Sequence, residues 1–216
     1  MILWAVIPVK PLRDSKSRLA HILTPDERAE LTASLLRRTL ETLDTVEEVA
    51  RVLVVSRDPA VLKIARAHGA HTFGEGERQD LNLALARAAH VAAAHQASGI
   101  LIIPADLPLV SHDDLKMVIA GAVPAHNGQQ PNGYHYQQRT ISICPDQHNE
   151  GTNALLVCPP TGFTFQYGAD SLALHLAEAA RLGIPRRIVH APGLKFDLDD
   201  EEDWRTYQSY LAVHSS

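Results

Sequence analysis

The sequence predicts an α/β fold, a mostly parallel, doubly wound sheet in a single domain spanning residues 1–216. Strand-like and helix-like segments alternate along the whole chain, which is the pattern of βα units. The first strand-like run is continuously apolar, as a strand buried on both faces is. With 216 residues the chain is long enough for one substantial core, and no internal repeat divides it.

Residues 2–9 form the first apolar strand. Thr24-Pro25-Asp26-Glu27 then supplies a capping box with proline at the first helical position, opening a helix to about Asp44. Residues 49–56 (VARVLVVS) make a second buried strand. Asp58 to His68 reads as a helix closed by Gly69, and 70–74 as a short third strand. An alanine-rich helix covers 77–97, a strand covers 100–104, and Ser111 caps a helix to about Ala120. Residues 122–140 are polar and rich in glycine and glutamine, with a turn signal at Asn132-Gly133. They read as an excursion or hairpin, not a second domain. Strands at 141–145 and 154–158, a helix from about Asp170 to Leu182, a strand at 186–190 and a C-terminal helix from about Asp200 complete the order. In such a fold ligands bind at the carboxyl ends of the strands.

Hydrophobic residues at 45% and charged residues at 21% are ordinary for a globular chain, and the formal net charge is −5. That balance supplies no global field to hold nucleic acid or an anionic membrane, so the expected partners are small molecules and any phosphate must be held by local clusters. The opening MILWAVIPVK has no basic stretch before its short apolar run, which Pro8 interrupts, so it reads as a strand and not a signal peptide. No run approaches the length of a membrane span. Cys144 and Cys158 lie in apolar strand-like segments far from CxxC spacing and read as buried thiols of a cytoplasmic protein.

Three stretches carry candidate chemistry. The first glycine is Gly69, so the opening strand-loop-helix holds neither a P-loop nor a GxGxxG fingerprint, and phosphate recognition there must use side chains. Lys10, Arg13, Lys16 and Arg18 lie in the nine residues after the first strand, with Pro8 and Pro11 stiffening the turn. The same cluster also fits a solvated basic loop. Asp106 sits between a buried strand and Pro108, where a carboxylate can hold a hard cation such as magnesium or simply begin a turn. Asp197 and Asp199 alternate across Leu198, so in an extended segment both face one side and suit capture of a cation, with Asp106 as a third ligand. Asp200 to Asp203 are assigned instead to the N-terminus of the following helix. Residues 150–175 form the expected acceptor pocket: Thr152 precedes a buried strand, and Gly168 and Ser171 flank a helix start where an anion is favoured. Ordinary capping by Asp170 or Ser171 would explain the same spacing. The twelve histidines show no metal-ligand spacing.

PVKPL, KSRL, PADLPL, EGTNALL, YGADSLALH and FDLDDEED, in that order and across nearly the whole chain, resemble the guanylyltransferase family of deazaflavin coenzyme F-420 biosynthesis. That family attaches GMP to 2-phospho-L-lactate or phosphoenolpyruvate. The resemblance implies a nucleotidyltransferase (nucleotide-diphospho-sugar transferase-like) fold, GTP as donor and Mg2+ as cofactor. It matches Asp106, Asp197 and Asp199 to metal-binding aspartates and Thr152, Gly168 and Ser171 to acceptor contacts. Lys10, Arg13, Lys16 and Arg18 are then expected to neutralise phosphate charge, with Lys16 and Asn82 as nucleotide contacts. Phosphoenolpyruvate is the expected acceptor and 2-phospho-L-lactate the alternative. A homodimer and a downstream transferase joining the product to a deazaflavin are the implied partners. Residues 122–140 are longer than the connection the family implies, and PDQHNEGTN departs from its histidine- and glycine-rich form. A glycosyltransferase of related fold would also carry an aspartate pair, although usually mid-chain. A non-catalytic nucleotide-binding subunit is the alternative from another class.

Overall fold

The computed structural model describes residues 2–74, 80–120 and 139–214. Most of the predicted excursion at 122–140, with its Asn132-Gly133 turn, and the predicted helix start at 77 lie outside the described residues.

Among the described residues seven strands form one sheet. They are β1 (Leu3–Pro8), β2 (Val49–Ser56), β3 (His71–Gly74), β4 (Gly99–Ile102), β5 (Thr140–Pro145), β6 (Thr152–Cys158) and β7 (Arg186–Ile188). Their order is β3-β2-β1-β4-β6-β5-β7. β1 pairs in parallel with β2 and β4, β2 with β3, and β5 with β7, while β6 runs antiparallel to both β4 and β5. The sheet is therefore mostly parallel, as predicted, with one reversed strand beside β4. That reversal brings the first residues of β6 beside the segment that leaves the carboxyl end of β4.

The helices are α1 (Pro25–Asp44), α2 (Pro59–Ala67), α3 (Leu81–Ala94), α4 (His112–Ile119), α5 (Ser171–Arg181), α6 (Pro192–Lys195) and α7 (Glu201–His214). They cover both faces of the sheet. Leu3, Ala5 and Ile7 of β1 pack with Leu36, Leu40 and Leu43 of α1 and Leu115 and Val118 of α4. Trp4 and Val6, on the opposite face, pack with the alanines of α3 and with Phe163 and Phe165. Both faces of β1 are buried because its side chains alternate between two apolar layers, the reason its sequence shows no polar alternation. No helix among the described residues is long and apolar enough to cross a membrane. Cys144 and Cys158 are buried free thiols, and burial pushes Cys158 up to about 11.

The predicted capping box of α1 is present: Thr24 Oγ1 accepts the Glu27 N–H while Glu27 Oε2 accepts the Thr24 N–H at 2.7 Å. α3 is shorter than its alanine run predicts. Asp80 caps its start, and after His95 the backbone of Gln96 turns left-handed at φ 61°, which ends the helix. α6 has no counterpart in the predicted order, because one turn of PGLK is too short to show a period. Its Gly193 is required by contact: a Cβ there would meet the Asp114 carboxylate and the Leu109 carbonyl oxygen. Asp114 Oδ1 accepts the Gly193 N–H at 3.0 Å, so the cap of α4 also anchors α6.

Glu178 on α5 fastens the segment before it. Its Oε1 accepts the Thr164 N–H at 3.0 Å, and its two oxygens accept from Arg181 Nε at 2.6 Å and Nη2 at 2.8 Å. The Arg181 bonds foremost, and then those from Thr164, overcome burial and hold the carboxyl down at about 2 from 4.5. A folded-state value below the unfolded one means this stabilisation is fully present above about pH 4.5 and is lost as pH falls toward 2. Glu178→Gln is expected to lower stability at neutral pH and to flatten its fall across that acid window. Urea midpoints of both proteins through the window check this, and parallel curves would show that Glu178 is not the group responsible.

Candidate active site

The loop after β1 is built to place one lysine. Lys16 lies between two short 3-10 turns, Leu12–Asp14 and Ser17–Leu19, with a left-handed backbone at φ 54° and ψ 39°. That conformation costs a non-glycine residue about 1–2 kcal/mol, so the surroundings must impose it. Leu12 N–H donates to Asp58 Oδ2 at 2.9 Å, Arg57 Nη2 to Asp14 Oδ2 at 2.9 Å, and Arg28 Nη1 to the Ser15 carbonyl at 2.9 Å. Buried Leu19 anchors the far side. Because β1 pairs with β4, this loop meets the segment that follows β4. Lys16 Nζ donates to Asp106 Oδ2 at 3.0 Å and to Asp199 Oδ1 at 3.1 Å.

Asp199 reaches Asp106 through a second set of tethers. Leu198, fully buried, donates its N–H to the Asp106 carbonyl at 3.1 Å, which sets Asp197 and Asp199 on either side of that point. Asn153 Nδ2 on β6 donates to the carbonyls of Leu194 at 2.9 Å and Lys195 at 3.3 Å, and reaches Asp197 Oδ1 at 3.5 Å. Asp203 Oδ2 accepts the N–H groups of Asp199 and Asp200, while Asp200 Oδ1 accepts those of Glu202 and Asp203. Asp199 thus reaches the cleft beside Asp106, Asp197 is held near Asn153 and does not line the cleft, and Asp200 and Asp203 bond the backbone that opens α7.

The electrostatics follow from this crowding. The Lys16 side chain is only 5% exposed. Burial alone would lower its pKa, but Asp106 and Asp199 outweigh it and hold the ammonium above its ordinary value. Asp197 is pushed up to about 6 by burial first, and then by the charges of Asp199 and Asp106. A cleft of about 730 Å³ opens beside this cluster, lined by Lys10, Lys16, Arg57, Asp80, Leu81, Asp106 and Asp199 among others. That volume lies in the range of small-molecule sites, roughly 300–1,000 Å³.

Magnesium takes oxygen ligands, commonly one or two carboxylates together with waters and substrate phosphates. Asp106, Asp197 and Asp199 are oxygen donors of that kind. Among the described residues no three His, Cys, Asp or Glu side chains close on one point as a protein cage would. Lys16 stands between two of the carboxylates instead. The residues thus fit magnesium as a partial set of oxygen ligands that phosphate and water would complete.

The other predicted site residues are placed as follows. Lys10 lines the cleft, exposed at its mouth. Arg13 and Arg18 do not line it: Arg13 Nη2 pairs with Asp26 at 2.7 Å on the surface, and Arg18 is exposed. Arg57, which the sequence did not mark, is the arginine that lines the cleft among the described residues. Asn82 clamps a loop, since its Nδ2 donates to the Tyr167 carbonyl at 3.1 Å and its Oδ1 accepts the Tyr167 N–H at 2.7 Å. Both ends of its amide therefore engage protein backbone, so Asn82 has a structural role in holding the Tyr167 loop. Thr152, Gly168 and Ser171 lie outside the lining of the cleft, at the start of β6 and the N-terminus of α5. Leu172 N–H donates to the Glu150 carbonyl at 3.0 Å and draws those two segments together. Gly168 has φ +135° and nothing within 4 Å of a built Cβ, so its need for glycine is conformational.

Asn153 and Arg28 are the supporting residues that sequence reasoning missed. Asn153 had a signal, a lone amide at the head of an otherwise apolar strand. Arg28 had none, because an arginine on a long helix is usually solvated.

A crystal structure from Desulfovibrio desulfuricans, provisionally assigned to the nucleotide-diphospho-sugar transferases, superposes with a TM-score of 0.69 at 15% identity, covering 100% of this chain and 90% of that one. A cytidylyltransferase from Leptospira borgpetersenii gives 0.62 at 12% identity, covering 100% and 89%. The fold is therefore of the nucleotide-diphospho-sugar transferase-like, nucleotidyltransferase class. Within that class the chain belongs to the family described as guanylyl transferase CofC like, whose model matches residues 3–207. Phosphoenolpyruvate guanylyltransferase from Rubrobacter xylanophilus is 41% identical over 206 residues, 94% of this chain and 92% of its own length.

Proposed function

We propose that this chain transfers GMP from GTP to phosphoenolpyruvate, releasing pyrophosphate, as a step toward coenzyme F-420. The observation that carries the reading is Lys16, buried and bonded to both Asp106 and Asp199 at the edge of the cleft. An oxygen of the acceptor's phosphate attacks the α-phosphorus of GTP. A new P–O–P link forms, and the bond from the α-phosphorus to the oxygen bridging it to the β-phosphorus breaks, so that the electron pair leaves with pyrophosphate. A phosphate monoester has its second pKa near ~6, so the nucleophile is largely dianionic at neutral pH and needs no general base. The difficulty is to bring two polyanions together, and catalysis lies in positioning and charge neutralisation.

Lys10 and Lys16 supply fixed positive charge along the cleft. Asp106, with Asp197 and Asp199, would hold magnesium, which neutralises phosphate charge when bound. Thr152, Gly168 and Ser171, beside the reversed strand and the start of α5, are assigned to the acceptor. The product anhydride is then passed to a transferase acting on a deazaflavin. The two free buried thiols accord with a cytoplasmic setting, and a homodimer is the proposed assembly.

Pyrophosphate release is expected with GTP, magnesium and phosphoenolpyruvate together, and to fall to background without the acid or with ATP in place of GTP. Excess chelator is expected to abolish it and added magnesium to restore it. Release with 2-phospho-L-lactate alone would transfer the assignment to that acid, and full activity under chelation would remove magnesium from it.

A further inference from the structure

We propose that His175 is a positioning residue that fixes the Thr152 hydroxyl as a hydrogen-bond donor to an oxyanion of the acceptor acid. The inference rests on the assignment of Thr152 to the acceptor.

The polarity of the network follows from one obligate donor. The Gln166 backbone N–H lies 3.0 Å from His175 Nε2, and a backbone N–H can only donate, so Nε2 presents its lone pair. A neutral ring with a bare Nε2 carries its hydrogen on Nδ1. His175 Nδ1 is 3.0 Å from Thr152 Oγ1, and therefore donates to it. A doubly protonated ring would set two donors face to face at Gln166. The fully buried position of His175, whose desolvation lowers its pKa to about 4, agrees with the neutral form. The ring is held by the edge of Tyr167 at 4.8 Å between centroids, and Asn82 clamps the Tyr167 backbone in turn.

Thr152 Oγ1 thus accepts from His175, and its own hydrogen must go elsewhere. Thr152 is 6% exposed, and among the described residues no acceptor receives that hydrogen. Buried donors seldom stay unpaired in native proteins, so the free O–H marks a place for a ligand acceptor. Ser171, one turn before His175 on the same face of α5, is 2% exposed and its hydroxyl likewise has no partner among the described residues. The N-cap residue Asp170 makes no side-chain cap bond, while the Leu172 N–H of that first turn is already taken by the Glu150 carbonyl. Two donor hydroxyls at the positive end of this helix suit an oxyanion.

The test compares steady-state kinetics of the full-length protein with phosphoenolpyruvate and GTP. Thr152→Val is expected to raise the phosphoenolpyruvate KM by about 10-fold or more with little change in the GTP KM, as loss of a hydrogen bond to a charged group does. His175→Phe is expected to do the same, and His175→Asn, whose amide can donate from near the Nδ1 position, to restore most of the affinity. The double variant Thr152→Val/His175→Phe is expected to be no worse than Thr152→Val alone, because the histidine acts through the threonine. Multiplying effects, or equal rises in both KM values, would overturn the proposal. Nitrogen NMR of histidine-labelled protein is expected to show His175 neutral with a bare Nε2, and a proton on Nε2 would overturn it independently of turnover. If Thr152→Val raises the acceptor KM while the His175 variants leave it unmoved, the histidine's role alone is refuted; if Thr152→Val also leaves it unmoved in an active enzyme, the assignment of Thr152 to the acceptor falls. A parent inactive with every phosphorylated acid refutes the acceptor assignment beneath it.

Discussion

Asp106→Asn is expected to lower turnover by roughly 10²- to 10³-fold, the scale of removing one fixed electrostatic element from an acyl- or phosphoryl-transfer site. The change is nearly isosteric and removes only charge. Asp106 is bonded to Lys16 and neighbours the raised carboxyl of Asp197, so the substitution weakens the place where a divalent cation and the triphosphate would meet. It leaves the Leu198-to-Asp106 backbone bond in place, because that bond uses the carbonyl. Lys16 keeps Asp199 as a partner and remains charged. Stability should therefore change by no more than about 1 kcal/mol, since both carboxylates bonded to Lys16 are partly exposed and solvent screens the pair. Turnover and the thermal transition measured on the same preparation decide it. Unchanged turnover in magnesium would exclude a role in the chemistry, and a collapsed transition would reassign Asp106 to folding. Lys16→Met is the complementary change, leaving the carboxylates and removing the cation. It is expected to weaken GTP binding more than magnesium binding.

Asn153→Leu is expected to be the most damaging change outside the cleft. Leucine matches asparagine in shape but donates nothing, so the carbonyls of Leu194 and Lys195 lose their buried donor. These are C-terminal carbonyls of a single-turn helix, which have no partner within that helix. Leaving such groups unsatisfied costs about 1–3 kcal/mol, to be read from urea unfolding. Turnover should fall further than stability predicts, even at temperatures where the protein remains folded. The lost bonds are those that present Asp197 and Asp199 to Asp106 and Lys16. A variant destabilised by this amount yet fully active would show that the acidic run is held adequately by Leu198 and Asp203 alone.

The features legible in the sequence are those with local causes. The α1 capping box, the closure of α2 at Gly69 and the strand at 49–56, of which only the second half is buried, all depend on residues within a few positions of one another. Asp197 and Asp199 drew attention by their alternation across Leu198 and Asp106 by its place after an apolar strand, and the family resemblance joined the three as a group. Lys16 stood out less clearly from Arg13 and Arg18. All three are basic residues of one loop, and only the left-handed turn at Lys16, held by Arg28 and Asp58, sends one of them inward. Asn82 looked available for a nucleotide because nothing local engages it. Its partner, Tyr167, is 85 positions away.

The sequence by itself determined the fold class and the order of nearly all the elements, because apolar periodicity and capping are written in short segments, and its ordered motifs carried the resemblance that pointed to the family. The tertiary structure alone decided which cation enters the carboxylate cluster, that β6 reverses beside β4, that Arg57 and not Arg13 lines the cleft, and which way the His175–Thr152 hydrogen bond points. Each of those outcomes depends on hydrogen bonds and charges between residues far apart in the chain, whose distance and direction are set only when the sheet brings them together.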